Sequence, residues 1–465
     1  MKRENKIHPT IVPLLDLDSL YTSVINEVTG KSSLKSKYLY LGWHGANSWK
    51  GVDSSYRINV EGLQLINDYF LEIDEIVRST SNQKKYNLIS LGAGTCEEDV
   101  RILDVLLKRN RENIPSFKIF IVDISIDLLT EGLHRLASKI NSHPRLRIFI
   151  QDLIPINIDI DHLYGCREII RNYKRKSSET NLFHLLGLTL GNNDENIMLS
   201  SIYRTMEFND YLLLGLDFCA DDIDVLTQTK EQYHGNNVTE AINKYLCSPL
   251  IFAANYEKDE KTNHIRFSIS DFKDLEIEFS EEKSISDVPD STSFVYNYKF
   301  KDANNDSYSM RACFSNKYKS QEFKKYIEED LPKKEIHFEI IKGITAFGDK
   351  STGQHLVLLK KISKQVSKEI VRKSAQHHLK EIRCSVDILK KTTVDLRSSA
   401  VKAKDDKELI ELYDRLIKEL ENPNKYDVNL QEILELINIY YNDNRLKNIS
   451  IVQSLLKMLK HDTTN

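Results

Sequence analysis

Three short stretches hold residues suited to gripping a nucleoside. Leu91 is followed by Gly92-Ala93-Gly94-Thr95, and the acids Glu97, Glu98 and Asp99 come soon after. Glycine serves where a side chain would collide with a neighbour or where the backbone must adopt a positive φ. A Gly-x-Gly turn between an apolar run and a helical pattern offers backbone N–H groups to a ligand at close range. The next apolar run, FKIFIVD, ends in Asp123, and the one after it, LRIFIQD, ends in Asp152. The first carboxylate suits the two hydroxyls of a ribose, and the second suits the amino group of an adenine. Open α/β sheets bind ligands at the carboxyl ends of their strands. A glycine turn with acids ending the next two runs therefore points to an adenosine site built from Gly92, Ala93, Gly94, Asp123 and Asp152.

The acids narrow the choice of adenosine compound. A dinucleotide site favours a third glycine in Gly-x-Gly-x-x-Gly, where the helix approaches the pyrophosphate. Here that position is Glu97, with two further acids behind it. Acids suit the positive end of a helix dipole but repel phosphates. A cofactor without phosphates fits better, and S-adenosylmethionine is such a compound.

The elements that must position these residues form an alternating series. YNLISL (86–91), FKIFIVD (117–123), LRIFIQD (146–152), NLFHLLGLTL (181–190) and DYLLLGLDF (210–218) read as strands, separated by amphipathic helices over 97–108 and 128–140. Continuous apolar strands with helical crossovers are the signature of a parallel sheet covered on both faces. Residues 1–85 read as mostly helical, broken by the aromatic stretch KYLYLGWHGANSW. Over 219–330 the period-2 stretches HIRFSIS, LEIEFS and SFVYNYKF predict an inserted, mainly antiparallel sheet. EIHFEIIKG and QHLVLLKK then predict an antiparallel pair that closes the main sheet. From 363 to 465 the pattern is helical, with a heptad-like seam through Leu379, Ile382, Val386 and Leu389. The expected fold is α/β: a Rossmann-like class I methyltransferase sheet with an inserted α+β domain and a C-terminal helical bundle. The expected domains are 1–85, 86–218, 219–330, the closing strands 331–362, and 363–465.

Composition sets the outer bounds. The 465 residues exceed one ordinary single-core domain. A net charge of −4 gives no global pull toward nucleic acid or an anionic membrane. No apolar run approaches the ~20 residues of a membrane span. The six cysteines are scattered without a Cys-x-x-Cys pair, which suits reduced thiols in a cytoplasm and no zinc site. His234, His377 and His378 have no metal-ligand spacing. Basic residues crowd 360–404, and a solvated helix face explains them better than nucleic acid does. The C-terminal seam leaves a homo-oligomer or a protein partner as expectations.

Four stretches carry a more specific likeness. LGAGTCEED, VDISIDLLTEGLHRL, GLTLGNND, and DYLLLGLDF followed by Tyr233 make the chain, from about 37 to 362, resemble the histidine-specific N-α-methyltransferases of ergothioneine biosynthesis and their amino-acid-methylating relatives. The Gly-Asn turn at 191–192 is the most specific of these. The resemblance implies that Asn192 holds the substrate's amino-acid head group and that Tyr56 lies beside its amine. It also implies that Tyr40 and Tyr233 contact the carboxylate and that Ser315 reads the side chain. Two positions depart from the pattern. The family's imidazole-reading glutamate falls on Cys313, and its Tyr-x-Thr-Arg reads Tyr56-Arg57-Ile58-Asn59 here. The resemblance thus implies a methyltransferase acting on the amino group of a free amino acid or similar small amine other than histidine. An apolar, aromatic or larger side chain is the expected replacement. Two other readings stay open: a methyltransferase on a macromolecule, and a cofactor-binding protein that has lost catalysis and works through its helical domain.

Overall fold

The computed structural model describes residues 9–366 apart from 54–56, 81–85, 109–116, 174–179, 221, 235–238, 256–272, 284, 303 and 346–352. Its strands are β1 (Val12–Pro13), β2 (Tyr86–Leu91), β3 (Phe117–Asp123), β4 (Ile150–Asn157), β5 (Thr180–Leu185), β6 (Tyr211–Phe218), β7 (Lys273–Glu282), β8 (Thr292–Lys301), β9 (Ser307–Lys317), β10 (Phe338–Thr345) and β11 (Gly353–Lys361). Eight of them form one sheet in the order β1-β4-β3-β2-β5-β6-β11-β10. β1 to β6 run parallel, and β11 pairs antiparallel with both β6 and β10. The chain order reverses beside β2, between β3 and β5, so the crevice for a ligand opens above the carboxyl end of β2. This is the Rossmann-like α/β sheet that the sequence predicts, closed by the expected antiparallel pair.

The strands form because their side chains are apolar on both faces. Ile89, Leu91, Phe120, Val122, Phe183 and Leu185 pack on one side with Leu199 and Ile202 of the helix Glu195–Thr205. Leu88, Ile119, Ile121 and Leu182 pack on the other with Leu103 and Leu106 of the helix Glu97–Leu107, Leu136 and Phe70. Successive strand residues point to opposite faces, and each fully buried large side chain contributes roughly 1.5–3 kcal/mol. A third cluster joins the helix Leu17–Thr29 to the inserted sheet β7-β8-β9, through Val24, Val28, Tyr38, Tyr298 and Ala312. The N-terminal segment therefore packs on the inserted sheet and not only on the main one.

The third strand departs from expectation. Pro144 opens a short helix, Pro144–Phe149, that uses most of the apolar run LRIFI. Proline suits the first helical position because its missing N–H is an orphan there anyway. The strand is β4, and it ends at Asn157, which lies opposite Asp123. Asp152 sits in the first half of that strand, close to the register pair Phe117–Ile150, and does not end it. It is therefore removed from the cofactor set. β9, not expected as a strand, completes the inserted sheet. HIRFSIS lies outside the described residues.

Contacts divide the chain into two compact units, Met1–Ser367 and Lys368–Asn465. The second, with the expected heptad seam and bundle, lies outside the described residues. Among the described residues no helix is long and apolar enough to cross a membrane.

Candidate active site

The glycine turn after β2 is tight by construction. Gly92 and Gly94 have φ of +63° and +50°, in the region that side chains strain. Cys96 also lies there, at +57°, and caps the helix Glu97–Leu107. The next helix, Ile126–Ser142, comes close enough that a Cβ on Gly132 would stand 2.6 Å from the Cys96 sulfur and 2.7 Å from the Gly94 carbonyl. Glycine at 132 thus lets the second helix lie directly on the turn.

Asp123, at the end of β3, faces this turn. Its two carboxylate oxygens accept from the N–H groups of Gly94 (2.8 Å) and Ser125 (2.7 Å). Burial raises its pKa to about 6, although these backbone donors oppose the shift. The group lines a cavity with Gly92, Ala93, Thr95, Ile124, Ile160 and Thr189.

The charges on that cavity wall are mostly negative. Glu97, Glu98, Asp123, Asp159 and Asp161 line it, against Lys37. Lys37 bridges Asp159 and Asp161, at 2.5 Å to each. Burial works against the lysine charge, but the two carboxylates outweigh it and raise its pKa. A buried group of Ser90, Asp99 and His184 stands at the same wall: Ser90 donates to Asp99 at 3.0 Å, and His184 Nε2 lies 3.3 Å from the same carboxylate. Such a wall disfavours phosphates and suits a cationic adenosyl compound. S-adenosylmethionine fits the residues present: the glycine turn leaves the backbone bare, and Asp123 offers a buried carboxylate to hydroxyl donors.

A second cavity adjoins the first, and Tyr40, Trp49 and Gly187 line both. Asn192, Cys313 and Ser315 line the second, so the structure brings these three together with Tyr40. Asn192 ends the 3-10 turn Thr189–Asn192 after β5, and Cys313 and Ser315 lie on β9. The Tyr40 hydroxyl hydrogen-bonds with the side chains of Tyr245 and Asn192. Burial pushes its pKa up to about 12, against those bonds. Tyr40, Trp49 and Tyr245 pack ring against ring, with centroids 5.3–5.6 Å apart. Leu39, Val52, Ile242, Leu246, Tyr296 and Phe314 supply most of the remaining wall. Burial pushes the Cys313 thiol up to about 12, so it stays neutral. Among the described residues, no acid, lysine, arginine or histidine lines this second cavity.

Two expected residues escape the geometry. Tyr56 lies outside the described residues. Tyr233 belongs to the helix Ile223–His234, but its side chain lies outside them. The sequence reading missed Lys37, Asp159 and Asp161, Trp49 and Tyr245. The pair Asp159/Asp161 follows the strand's true end, and a correct boundary would have exposed it. Trp49 ends the aromatic stretch KYLYLGWHGANSW, but its meeting with Tyr245 comes only through tertiary packing. Among the described residues no cluster of His, Cys, Asp and Glu could hold a metal ion.

The profile of the family described as "Histidine-specific methyltransferase, SAM-dependent" matches residues 21–331. No curated protein matches the chain. Among solved structures, the glycopeptide N-methyltransferase MtfA complexed with sinefungin is similar over 63% of this chain and 86% of that one, at 12% identity and a TM-score of 0.29. A SAM-dependent methyltransferase from Methanosarcina mazei matches over 62% and 97%, at 11% identity and a TM-score of 0.30. The sugar N-methyltransferase KedS8 from Streptoalloteichus sp. matches over 64% and 88%, at 8% identity and a TM-score of 0.29.

Proposed function

Because the chain belongs to the family of histidine-specific, SAM-dependent methyltransferases, we propose that it methylates the amino group of a free amino acid or similar small amine, and that histidine is not the preferred one. The observation that carries this reading is the second cavity, uncharged among the described residues, which meets the cofactor cavity at Tyr40 and Trp49.

S-adenosylmethionine, when bound, supplies a methyl group activated by its sulfonium. The chain's own residues then have to bind, orient and exclude water. An amine reacts only through a free lone pair held in line with the methyl, and correct positioning alone can supply much of the rate. The Asn192 amide sits beside the Tyr40 hydroxyl, where the pair can hold a polar head group. The Tyr40 hydroxyl keeps its proton at neutral pH, since its pKa is about 12, so it can donate to a carboxylate. The aromatic faces of Trp49 and Tyr40 offer a favourable surface to cationic centres near the junction.

The substrate side chain meets leucines, valine, isoleucine and aromatic rings. A histidine ring brings an N–H that needs an acceptor, and an unpaired buried N–H costs about 1–3 kcal/mol. The resemblance would place a glutamate at 313, but the group there is a buried neutral thiol. An apolar or aromatic side chain avoids that cost.

The test incubates the protein with labelled S-adenosylmethionine and each free amino acid in turn, and reads the products by mass. An apolar or aromatic amino acid should gain methyl groups ahead of histidine. Histidine turning over above all others would overturn the specificity. Label appearing only in a macromolecular fraction would overturn the substrate class.

A further inference from the structure

One buried carboxylate outside both cavities gathers four hydrogen-bond donors from two distant segments of the chain, 286–287 and 316–318. Glu195 lies in the first turn of the helix Glu195–Thr205, three residues after Asn192, and is 1% exposed. Its Oε1 accepts from Ser286 Oγ (2.8 Å), Asn316 Nδ2 (2.7 Å) and Tyr318 OH (3.0 Å). Its Oε2 accepts from the Asp287 backbone N–H at 3.2 Å. Asn316 directly follows Ser315, and its own Oδ1 accepts from Ser293 Oγ of β8 at 2.6 Å. The Asn316 backbone also touches the Gly-Asn turn. A Cβ on Gly191 would stand 2.8 Å from the Asn316 carbonyl oxygen.

These contacts tie together the two walls of the second cavity. Asn192 belongs to the turn after β5 in the main sheet, whereas Cys313 and Ser315 belong to β9 in the inserted sheet. Glu195 accepts from the Asn316 side chain while Gly191 abuts the Asn316 backbone. Burial raises the Glu195 pKa and these donors oppose that shift; a neutral acceptor in its place would make weaker bonds, because hydrogen bonds to an ionised acceptor are shorter and about twice as strong. Removing the carboxylate would leave several buried donors unmatched.

We infer that Glu195 is a positioning residue of the amine site: through Asn316 it fixes the spacing between the Gly191-Asn192 turn and the Cys313–Ser315 segment. This inference rests on the reading of the second cavity as the amine site. Glu195 touches neither cavity, so its effect must pass through the geometry of those two segments.

The experiment compares wild type, Glu195→Gln and Glu195→Ala by amide hydrogen exchange, cofactor binding and kinetics. Glu195→Gln keeps the acceptor oxygens' positions in part and loses the charge. Glu195→Ala loses both. Exchange over 188–193 and 313–317 should quicken roughly tenfold or more in Glu195→Ala and less in Glu195→Gln, while 87–91 and 119–123 keep their protection. KM for the preferred amine should rise roughly tenfold or more while the cofactor Kd stays within about twofold. Unchanged exchange in the two segments would overturn the inference. Equal loss of protection throughout β2 and β3 would also overturn it, because the carboxylate would then be a general anchor. If wild type methylates no amine, the functional reading falls, while the exchange pattern still decides whether Glu195 couples these two walls.

Discussion

The affinity of the protein for its cofactor should fall as the solution is acidified from pH 7 to pH 5, and Asp123 sets the size of the fall. A carboxylate that accepts from ribose hydroxyls must be ionised to accept from both. Burial holds the Asp123 pKa at about 6, so by the titration equation the ionised fraction is about ten in eleven at pH 7 and about one in eleven at pH 5. That ratio weakens binding roughly tenfold, or about 1.4 kcal/mol. The cofactor's own α-carboxyl and α-amino groups titrate outside this window. Stability without ligand moves the other way. The folded protein holds a proton on Asp123 between the ordinary value of 3.8 and about 6, where the unfolded chain has lost it. Stability from this group alone therefore declines as pH rises through that window, by an upper bound of about 3 kcal/mol. Calorimetric titration of S-adenosylhomocysteine at pH 5, 6 and 7 measures the affinity, with Asp123→Asn as the control. The variant should bind weakly at every pH and show no slope. A flat wild-type profile, or the same slope in the variant, would refute the assignment of this carboxylate to the cofactor's hydroxyls.

Three further outcomes follow from the packing. Gly191→Ala should push the turn away from Asn316, since its Cβ would lie 2.8 Å from that carbonyl oxygen; we expect about 1–3 kcal/mol of lost stability by calorimetry and a raised amine KM, with cofactor affinity kept. Lys317→Ala should destabilise the main unit by about 3–5 kcal/mol in denaturant titrations, because Asp217, 3.1 Å away and buried with it, would be left without its cation. A chain ended at residue 366 should fold and bind S-adenosylhomocysteine within about twofold of the full chain, because the compact unit closes at Ser367; loss of binding in a folded truncation would show that the later residues help form the site.

The sheet was legible where strands are apolar on both faces. β2, β3, β6 and β11 are each nearly or wholly buried, and their runs of Leu, Ile, Val and Phe mark them without help from context. β4 was not, because two local signals compete there. LRIFI is a short apolar run that helix and strand share equally, and Pro144 decides for helix. The true strand contains Pro155, a residue that argues against a strand interior, yet it is tolerated beside the two-residue edge strand β1. That one misplaced boundary put Asp152 at a strand end and passed over Asp159 and Asp161, which follow the true end of β4 and line the first cavity. Around the second cavity, family likeness marked Asn192, through its Gly-Asn turn, as well as Tyr40, Cys313 and Ser315. The ring cluster with Trp49 and Tyr245, and the carboxylate of Glu195, depend on residues far apart in the chain, and nothing in their local sequence distinguishes them from ordinary core.

Tyr40 and Trp49 belong to both cavities at once, and thermodynamics attaches a condition to that shared wall. Any shift of these rings that one ligand induces changes the other ligand's cavity, so the two binding equilibria are linked. Linkage is reciprocal: if bound cofactor raises amine affinity by some factor, bound amine raises cofactor affinity by the same factor. The demethylated product would occupy the cavity that these same rings line. Its retention after a turnover must therefore depend on which amine, if any, occupies the neighbouring cavity, and a double titration closed around all four states would return one coupling constant for both ligands.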